Sequence, residues 1–340
     1  LSASPQVSIL LPVLNAQATL HEAVASILFQ TYQDWELIAV NDGSTDASGP
    51  MLDAFAHQDA RIKVLHHNAN KGIVESLLAA FARSQAPLIA RMDADDVCLP
   101  TRLERQVAFL HASPQIGLVG TQVAHLGDPA TQQGYAAHIE WMNALLSPEA
   151  IALSRFVESP FAHPSVMFRR SMWDQHGGYL SGDWPEDYEL WLRWMSKGVQ
   201  MARIPEVLLH WRDLPSRLSR NHAMYGVEAF YHVRARYLAQ HVQDMGTKRP
   251  IWVWGAGRVT RRRADLLLAY GIAIAGYIDI DPKKIGQVLD GRKVIGPAQL
   301  PSPGEIFILS YVSNRGAREE IRAHLTARGY AEGVDYLLAG

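Results

Sequence analysis

LIARMDADDVCLP, residues 88–100, runs from an apolar stretch straight into Asp93, Asp95 and Asp96. Carboxylates this close repel one another, and each is costly to take out of water. Their place at the end of a strand-length apolar run decides how the rest of the chain is read. A second such run, residues 35–40, ends in NDGSTD, which puts Asp42 just beyond a strand. Residues 7–12 and 62–65 are further strand candidates. Between them lie helical patterns, one near residues 73–82 and one in which Thr19 and Glu22 form a capping box ahead of Leu20, Val24, Ile27 and Leu28. Strands alternating with helices predict an α/β fold: a mostly parallel sheet with helices on both faces, joined by right-handed crossovers.

In open sheets of this kind, ligands sit beyond the carboxyl ends of the strands. Asp42 and the aspartate trio therefore face one crevice. If the extended path continues past Met92, alternation puts Asp93 and Asp95 on the same side. Two such carboxylates suit a hard divalent cation, Mg²⁺ or Mn²⁺. The plainer readings stand beside this one: Asp42 as turn chemistry, Asp96 as a solvated loop acid. A third acidic site lies in WPEDYELWLRW, residues 184–194. Pro185 suits the first turn of a helix with Asp183 as a candidate cap, and Leu190, Trp191 and Trp194 supply its apolar face. Glu186 and Asp187 fall in that first turn, either as helix-dipole acids or as a general base across from the cation. The helix end favours an ionised carboxylate, whereas a water-poor pocket raises its pKa. Trp184, Tyr188 and Trp191 read equally as core or as a wall for a sugar.

The chain has 340 residues, 48% hydrophobic, with a formal net charge of −2. That length allows two cores, and that charge gives no general case for nucleic acid. The single cysteine, Cys98, excludes an internal disulfide and reads as a packing residue. His163 before Pro164 reads as a structural or acceptor-side residue. No basic region precedes the first apolar run, and the longest uncharged one, residues 266–278, is short and broken by Gly271 and Gly276. A soluble, cytoplasmic protein is expected, with peripheral contact at the inner face of the membrane left open. After Pro250 the pattern restarts as IWVWGAGRVTRRRADLLLAYGIAIAGYIDID: strand, Gly-rich turn, helix, strand, acid. Gly255 and Gly257 are followed by Thr260 where a dinucleotide fingerprint has its third glycine, although Asp279 sits where a ribose-binding acid would. A domain boundary is expected at residues 242–249, separating a domain over 1–241 from a Rossmann-like accessory domain over 250–340. Nucleotide binding, packing, acceptor placement and homodimer formation are all open roles for the latter.

Three segments together, residues 7–48, RMDADDVCLPTRLERQ and WPEDYELWLR, resemble the family-2 inverting glycosyltransferases of the GT-A fold. The likeness covers about residues 5–220, with the motifs in family order. It implies transfer of a sugar from a nucleotide diphosphate donor, a UDP-sugar above all, to an acceptor hydroxyl with inversion. The acceptor implied is a glycan or glycolipid in bacterial polysaccharide synthesis. By the resemblance, Pro12, Val13 and Asn15 line the nucleotide pocket, and Asp42 contacts the donor base. Arg91 and Asp93 belong to the donor site, Asp93 and Asp95 hold Mn²⁺ or Mg²⁺, and Asp187 is the base with Glu186 beside it. The chain departs from the family at Leu14, often tyrosine, and at Leu214, often histidine; His210 and Arg217 are the candidate replacements near the diphosphate. The alternative is a nucleotide-sugar-binding protein that keeps the fold without turnover. A nucleotidyltransferase would need a Gly-rich basic loop after the first strand, which LPVLNAQATL lacks. An oxidoreductase role for the C-terminal domain would need the missing glycine and a catalytic partner.

Overall fold

The computed structural model describes residues 4–127, 133–214, 222–314 and 316–340. They form two compact units, Leu1–Ile151 with Pro160–Met224, and Ala152–Ser159 with Tyr225–Gly340. In chain order the first unit contains β1 (Val7–Val13), α1 (Leu20–Leu28), β2 (Trp35–Asn41), α2 (Ser48–Gln58), β3 (Ile62–His66), α3 (Ile73–Arg83) and β4 (Leu88–Arg91). There follow β5 (Val97–Cys98), α4 (Arg102–Ala112), β6 (Ile116–Leu126), α5 (Gln133–Ala144), α6 (Pro148–Ser154, whose residues from Ala152 on belong to the second unit), β7 (Met167–Arg169), α7 (Arg170–His176), α8 (Glu186–Ser196) and β8 (Gln200–Arg212).

The eight strands make one sheet in the order β3-β2-β1-β4-β7-β6-β8-β5. β3, β2, β1 and β4 run parallel, β7 is antiparallel to both its neighbours, and β6 and β8 are again parallel to each other. Alternation along the strands sorts their side chains into two cores. Val7, Ile9, Leu11 and Leu37 pack with α1 residues Leu20, Val24 and Ile27 and with Leu103, Val107 and Leu110 of α4. Leu10, Ile38 and Val40 pack on the other face with Val74, Leu77 and Ala80 of α3 and with Leu190, Trp191 and Trp194 of α8. A sheet buried on both faces explains why β1 and β2 read as unbroken apolar runs rather than alternating ones.

Two local expectations change. Thr19 does not cap α1 through its side chain; its hydroxyl donates instead to the Ala94 carbonyl, 2.9 Å away. Glu22 pairs with Arg212. The helix start thus takes its polar partners from the acidic segment and from the end of β8 rather than from itself. Asp183 likewise makes no cap: Pro185 precedes the first turn of α8, with no side-chain hydrogen bond there.

The second unit adds α9 (Val227–Asp244), β9 (Ile251–Trp254), α10 (Arg258–Ala264), β10 (Ile274–Ile278), β11 (Val288–Leu289), β12 (Arg292–Ile295), β13 (Phe307–Ser310), α11 (Ala317–Ala327) and β14 (Tyr336–Leu338). Its sheet order is β11-β12-β10-β9-β13-β14, parallel except for β11. The order reverses beside β9, as in doubly wound folds. Here Asp279 is engaged by its own chain: it accepts from Ala256 N at 2.8 Å and Asp281 N at 2.9 Å and pairs with Lys284 at 3.0 Å. Gly255 has φ +111°, and a Cβ there would lie 2.9 Å from Thr260 Cγ2, so the turn is filled from inside. The division between units differs from the expected linker at 242–249, because α9 runs through residue 244 and groups with the second sheet.

Candidate active site

The acidic segment is a turn, not a continued strand. β4 stops at Arg91, and the chain bends at Ala94 and Asp95. The bend, rather than strand alternation, brings Asp93, Asp95 and Asp96 together with carboxylate oxygens within 4.8 Å of one another. Asp93 and Asp95 are partly exposed, whereas Asp96 is fully buried and accepts from the Arg212 amide at 2.7 Å. Asp96 is therefore no solvated loop acid; it fastens the turn to the end of β8. The Arg212 guanidinium donates to the Asp95 carbonyl at 2.8 Å, and Thr19 holds the Ala94 carbonyl. An oxygen-only donor set fixed from behind by an amide, a guanidinium and a hydroxyl suits a hard divalent cation. It is the one group of this kind among the described residues.

Arg91 is 1% exposed, and its Nη2 lies 2.6 Å from Asp93 Oδ1. A buried guanidinium of this kind needs a compensating acid. Its field reaches past Asp93 to Glu186, Asp187 and Tyr179, so the acidic turn and the start of α8 share one buried cation.

The loops after β1 and β2 are laced together. Asn15 sits at φ 49°, its amide donates to Ser44 Oγ, and its side-chain oxygen accepts from Thr45 N at 2.8 Å. Position 43 requires glycine, since its φ is +71° and a Cβ would fall 2.5 Å from the Ala69 backbone. Val13 points into the core, and only its carbonyl, which accepts from Asp42 N, meets the rim. Pro12 is partly exposed and Leu14 is 42% exposed at this edge. Asp42 is 3% exposed, and its oxygens accept from His67 Nδ1 at 2.8 Å and from the Lys71 and Gly72 amides at 2.9 Å. Turn formation at NDGS falls to Asn41, which accepts from Ser44 N. Asp42 instead secures the 67–72 loop, which the sequence reading had not connected with it.

At α8 the neighbouring acids part company. Glu186 is 1% exposed and turns inward, 3.5 Å from His163 Nδ1. Asp187 remains partly exposed, and its Oδ1 accepts from Tyr188 N at 2.7 Å. Burial, and then the charge of Glu186, push the Asp187 carboxyl up to about 8. Desolvation thus outweighs the helix end, which would have lowered it. Tyr188 and Trp191 are fully buried, and only Trp184 is partly exposed. His210 stands on β8 across from Val97. Arg217 lies outside the described residues. Cys98 is buried, with Sγ 3.2 Å from Ser26 Oγ, in keeping with a packing residue.

The structure therefore gathers Asp93, Asp95, Arg91, Glu186 and Asp187 with His163, read from the sequence as structural or acceptor-side, and adds Tyr179, Arg212 and Thr19, which no motif had marked for this site. A sheet rim that brings clustered acids, a buried arginine and a further carboxyl within reach of one another's charge suits group-transfer chemistry. The sequence profile described as "Glycosyl transferase family 2" matches residues 8–177, and the chain belongs to that family. It is 30% identical over 207 residues to the amylovoran biosynthesis glycosyltransferase AmsE of Erwinia amylovora, covering 59% of this chain and 74% of AmsE. Among solved structures it resembles S. aureus TarS 1–349 in complex with UDP-GlcNAc (TM-score 0.56, 15% identity, 78% of this chain and 71% of that one). It also resembles the mannosyltransferase PcManGT from Pyrobaculum calidifontis in complex with GDP-Man and Mn²⁺ (TM-score 0.50, 18% identity, 79% and 71%). The protein is a glycosyltransferase.

Proposed function

We propose that this glycosyltransferase is metal-dependent and inverting, and moves a sugar from a UDP-sugar to a hydroxyl of a growing bacterial polysaccharide or glycolipid. One observation carries the reading: a partly exposed carboxyl with a raised pKa, Asp187, shares the buried Arg91 with the acidic turn. The acceptor O–H gives its proton to the Asp187 carboxylate as its oxygen bonds to the anomeric carbon. The bond from that carbon to the diphosphate oxygen breaks on the opposite face, and its electron pair leaves on the nucleoside diphosphate. Asp95 and Asp93 would hold Mn²⁺ or Mg²⁺, which when bound supplies Lewis-acid neutralisation of the departing diphosphate. Asp93 remains tied to Arg91, and Arg212 and Thr19 keep the turn from splaying under its own charge. The Pro12–Asn15 edge and the Asp42 loop supply the walls for the nucleoside. Glu186 is buried against His163 and is assigned no proton transfer.

The UDP-sugar assignment draws on the likeness to the UDP-GlcNAc complex, the metal on the oxygen donor set and on the Mn²⁺ complex, and the polysaccharide setting on the AmsE relationship. Thermal-shift and turnover measurements with UDP-GlcNAc and GDP-mannose, each with and without Mn²⁺, test the reading. The expected result is cation-dependent stabilisation by the uridine donor and release of UDP, both lost in Asp95→Ala. Stabilisation by a donor with no turnover in any combination would instead favour a binding protein.

A further inference from the structure

His163 is buried beside the reacting groups and has no part in the chemistry above. It opens a short 3-10 turn, His163–Ser165, just ahead of β7. The backbone of that turn is held on the strand that delivers the acidic turn. Arg91 N donates to the Val166 carbonyl at 3.0 Å, and Gln106 Nε2 donates to the Ser165 carbonyl at 3.0 Å. The ring faces α8. Nε2 lies 2.6 Å from the Tyr179 hydroxyl, Nδ1 lies 3.5 Å from Glu186 Oε1, and the ring stands edge-on to Trp191 at 5.9 Å.

The polarity of this chain follows from its ends. Burial keeps the Tyr179 phenol protonated, and burial together with the Arg91 charge holds the His163 ring neutral. A neutral imidazole offers one N–H and one lone pair. The phenol O–H therefore donates to Nε2, which leaves the ring proton on Nδ1, the nitrogen that lies 3.5 Å from the Glu186 carboxylate. Successive helix residues are about 100° apart around the axis. Holding Glu186 inward consequently fixes the direction in which Asp187 leaves the first turn of α8.

We propose that His163 is a positioning residue for the transfer step: held by Tyr179 as the Nδ1–H tautomer, it anchors Glu186 and so keeps Asp187 turned into the crevice. This rests on Asp187 being the base. It also gives Glu186 its place, as the inner half of a pair whose outer half reacts.

The test has a structural and a kinetic arm. In protein labelled with ¹⁵N at histidine, wild type is expected to show a neutral ring protonated at Nδ1, identified by its loss in His163→Asn. Tyr179→Phe is expected to shift that ring toward Nε2 protonation. A wild-type ring protonated at Nε2 overturns the proposal, whether or not a donor turns over. With UDP-GlcNAc, Mn²⁺ and water as acceptor, His163→Ala is expected to lower kcat about 100-fold with donor KM within about threefold, the size expected for a displaced catalytic group. His163→Asn, which keeps a donor toward Glu186, should recover part of the loss, and it serves alone if the alanine variant does not fold. In an Asp187→Asn background His163→Ala should cost nothing further, since both changes remove one function. Wild-type kcat in His163→Ala, or an equal loss in both backgrounds, overturns the proposal. Full turnover by Asp187→Asn would overturn the base reading and the transfer role of His163 with it, whereas loss there without loss in His163→Ala overturns this proposal alone.

Discussion

At the scale of single residues, Asp187 makes the sharpest demand on experiment. Its carboxyl must be ionised to accept a proton, and burial beside Glu186 pushes it up to about 8. Turnover at saturating donor should climb about tenfold per pH unit up to about pH 8 and level off above it, as for one essential base. A profile flat from pH 6 to 9 would remove Asp187 from that role. The same shift has a stability consequence of fixed sign. The native state holds this proton up to about pH 8, whereas the unfolded chain releases it near the ordinary value of 3.8. The stabilising contribution is therefore complete below the unfolded value and is lost as pH rises through about 8. Asp187→Asn should lose that dependence, so its Tm gains on wild type between pH 5 and pH 9; parallel curves would contradict the assignment. The acids themselves were legible in the sequence because strand ends and helix starts announce where charge collects. Their orientations were not. Glu186 and Asp187 are adjacent letters, yet one is buried and the other partly exposed, and the groups that surround Glu186, His163 and Arg91 among them, come from separate segments.

Among the elements, the start of α1 and the end of β8 matter most, since both act on the acidic turn rather than on substrate. Arg212 ties the Asp95 carbonyl to Glu22, and removing such an outer partner of a ligand set lowers metal affinity by about 10-fold or more. Arg212→Ala should weaken Mn²⁺ binding by that amount in a titration followed by thermal shift, with little change in Tm without metal, because the ion pair is partly exposed. Unaltered Mn²⁺ affinity would show that the turn holds its shape unaided. The alternation of strand and helix was readable here because both faces of β1 and β2 are covered, which leaves a strong apolar signal. The Thr19–Glu22 spacing misled for a related reason: a capping box and a pair of long-range contacts use the same residue types, and spacing alone does not separate them. The bend at Ala94 and Asp95 was equally silent, since Met-Asp-Ala-Asp suits a strand end or a turn.

For the molecule as a whole, the composition change after Pro250 marked a second sheet, and that sheet is present. What the residue pattern could not show was which unit owns the helix before it, for an amphipathic face does not name its partner. The structure groups α9 and residues 152–159 with the second unit, where Phe156 is 1% exposed and its ring lies 5.8 Å from His241. A fragment ending at residue 249 would keep these pieces and lose the sheet they belong with. It should show a lower Tm and a greater tendency to aggregate than the full chain; wild-type melting in that fragment would mean that the division matters little to folding.

The excursion of residues 152–159 also bears on how such a gene could be recombined. The path changes unit three times along its length: after Ile151, after Ser159 and after Met224. A single crossover that exchanged the tail for another accessory module would leave behind an orphan patch still shaped for the old one. Hybrids of this architecture are therefore expected to survive only when that inner stretch travels with the tail, a linkage between distant codons that no shared reaction chemistry would require.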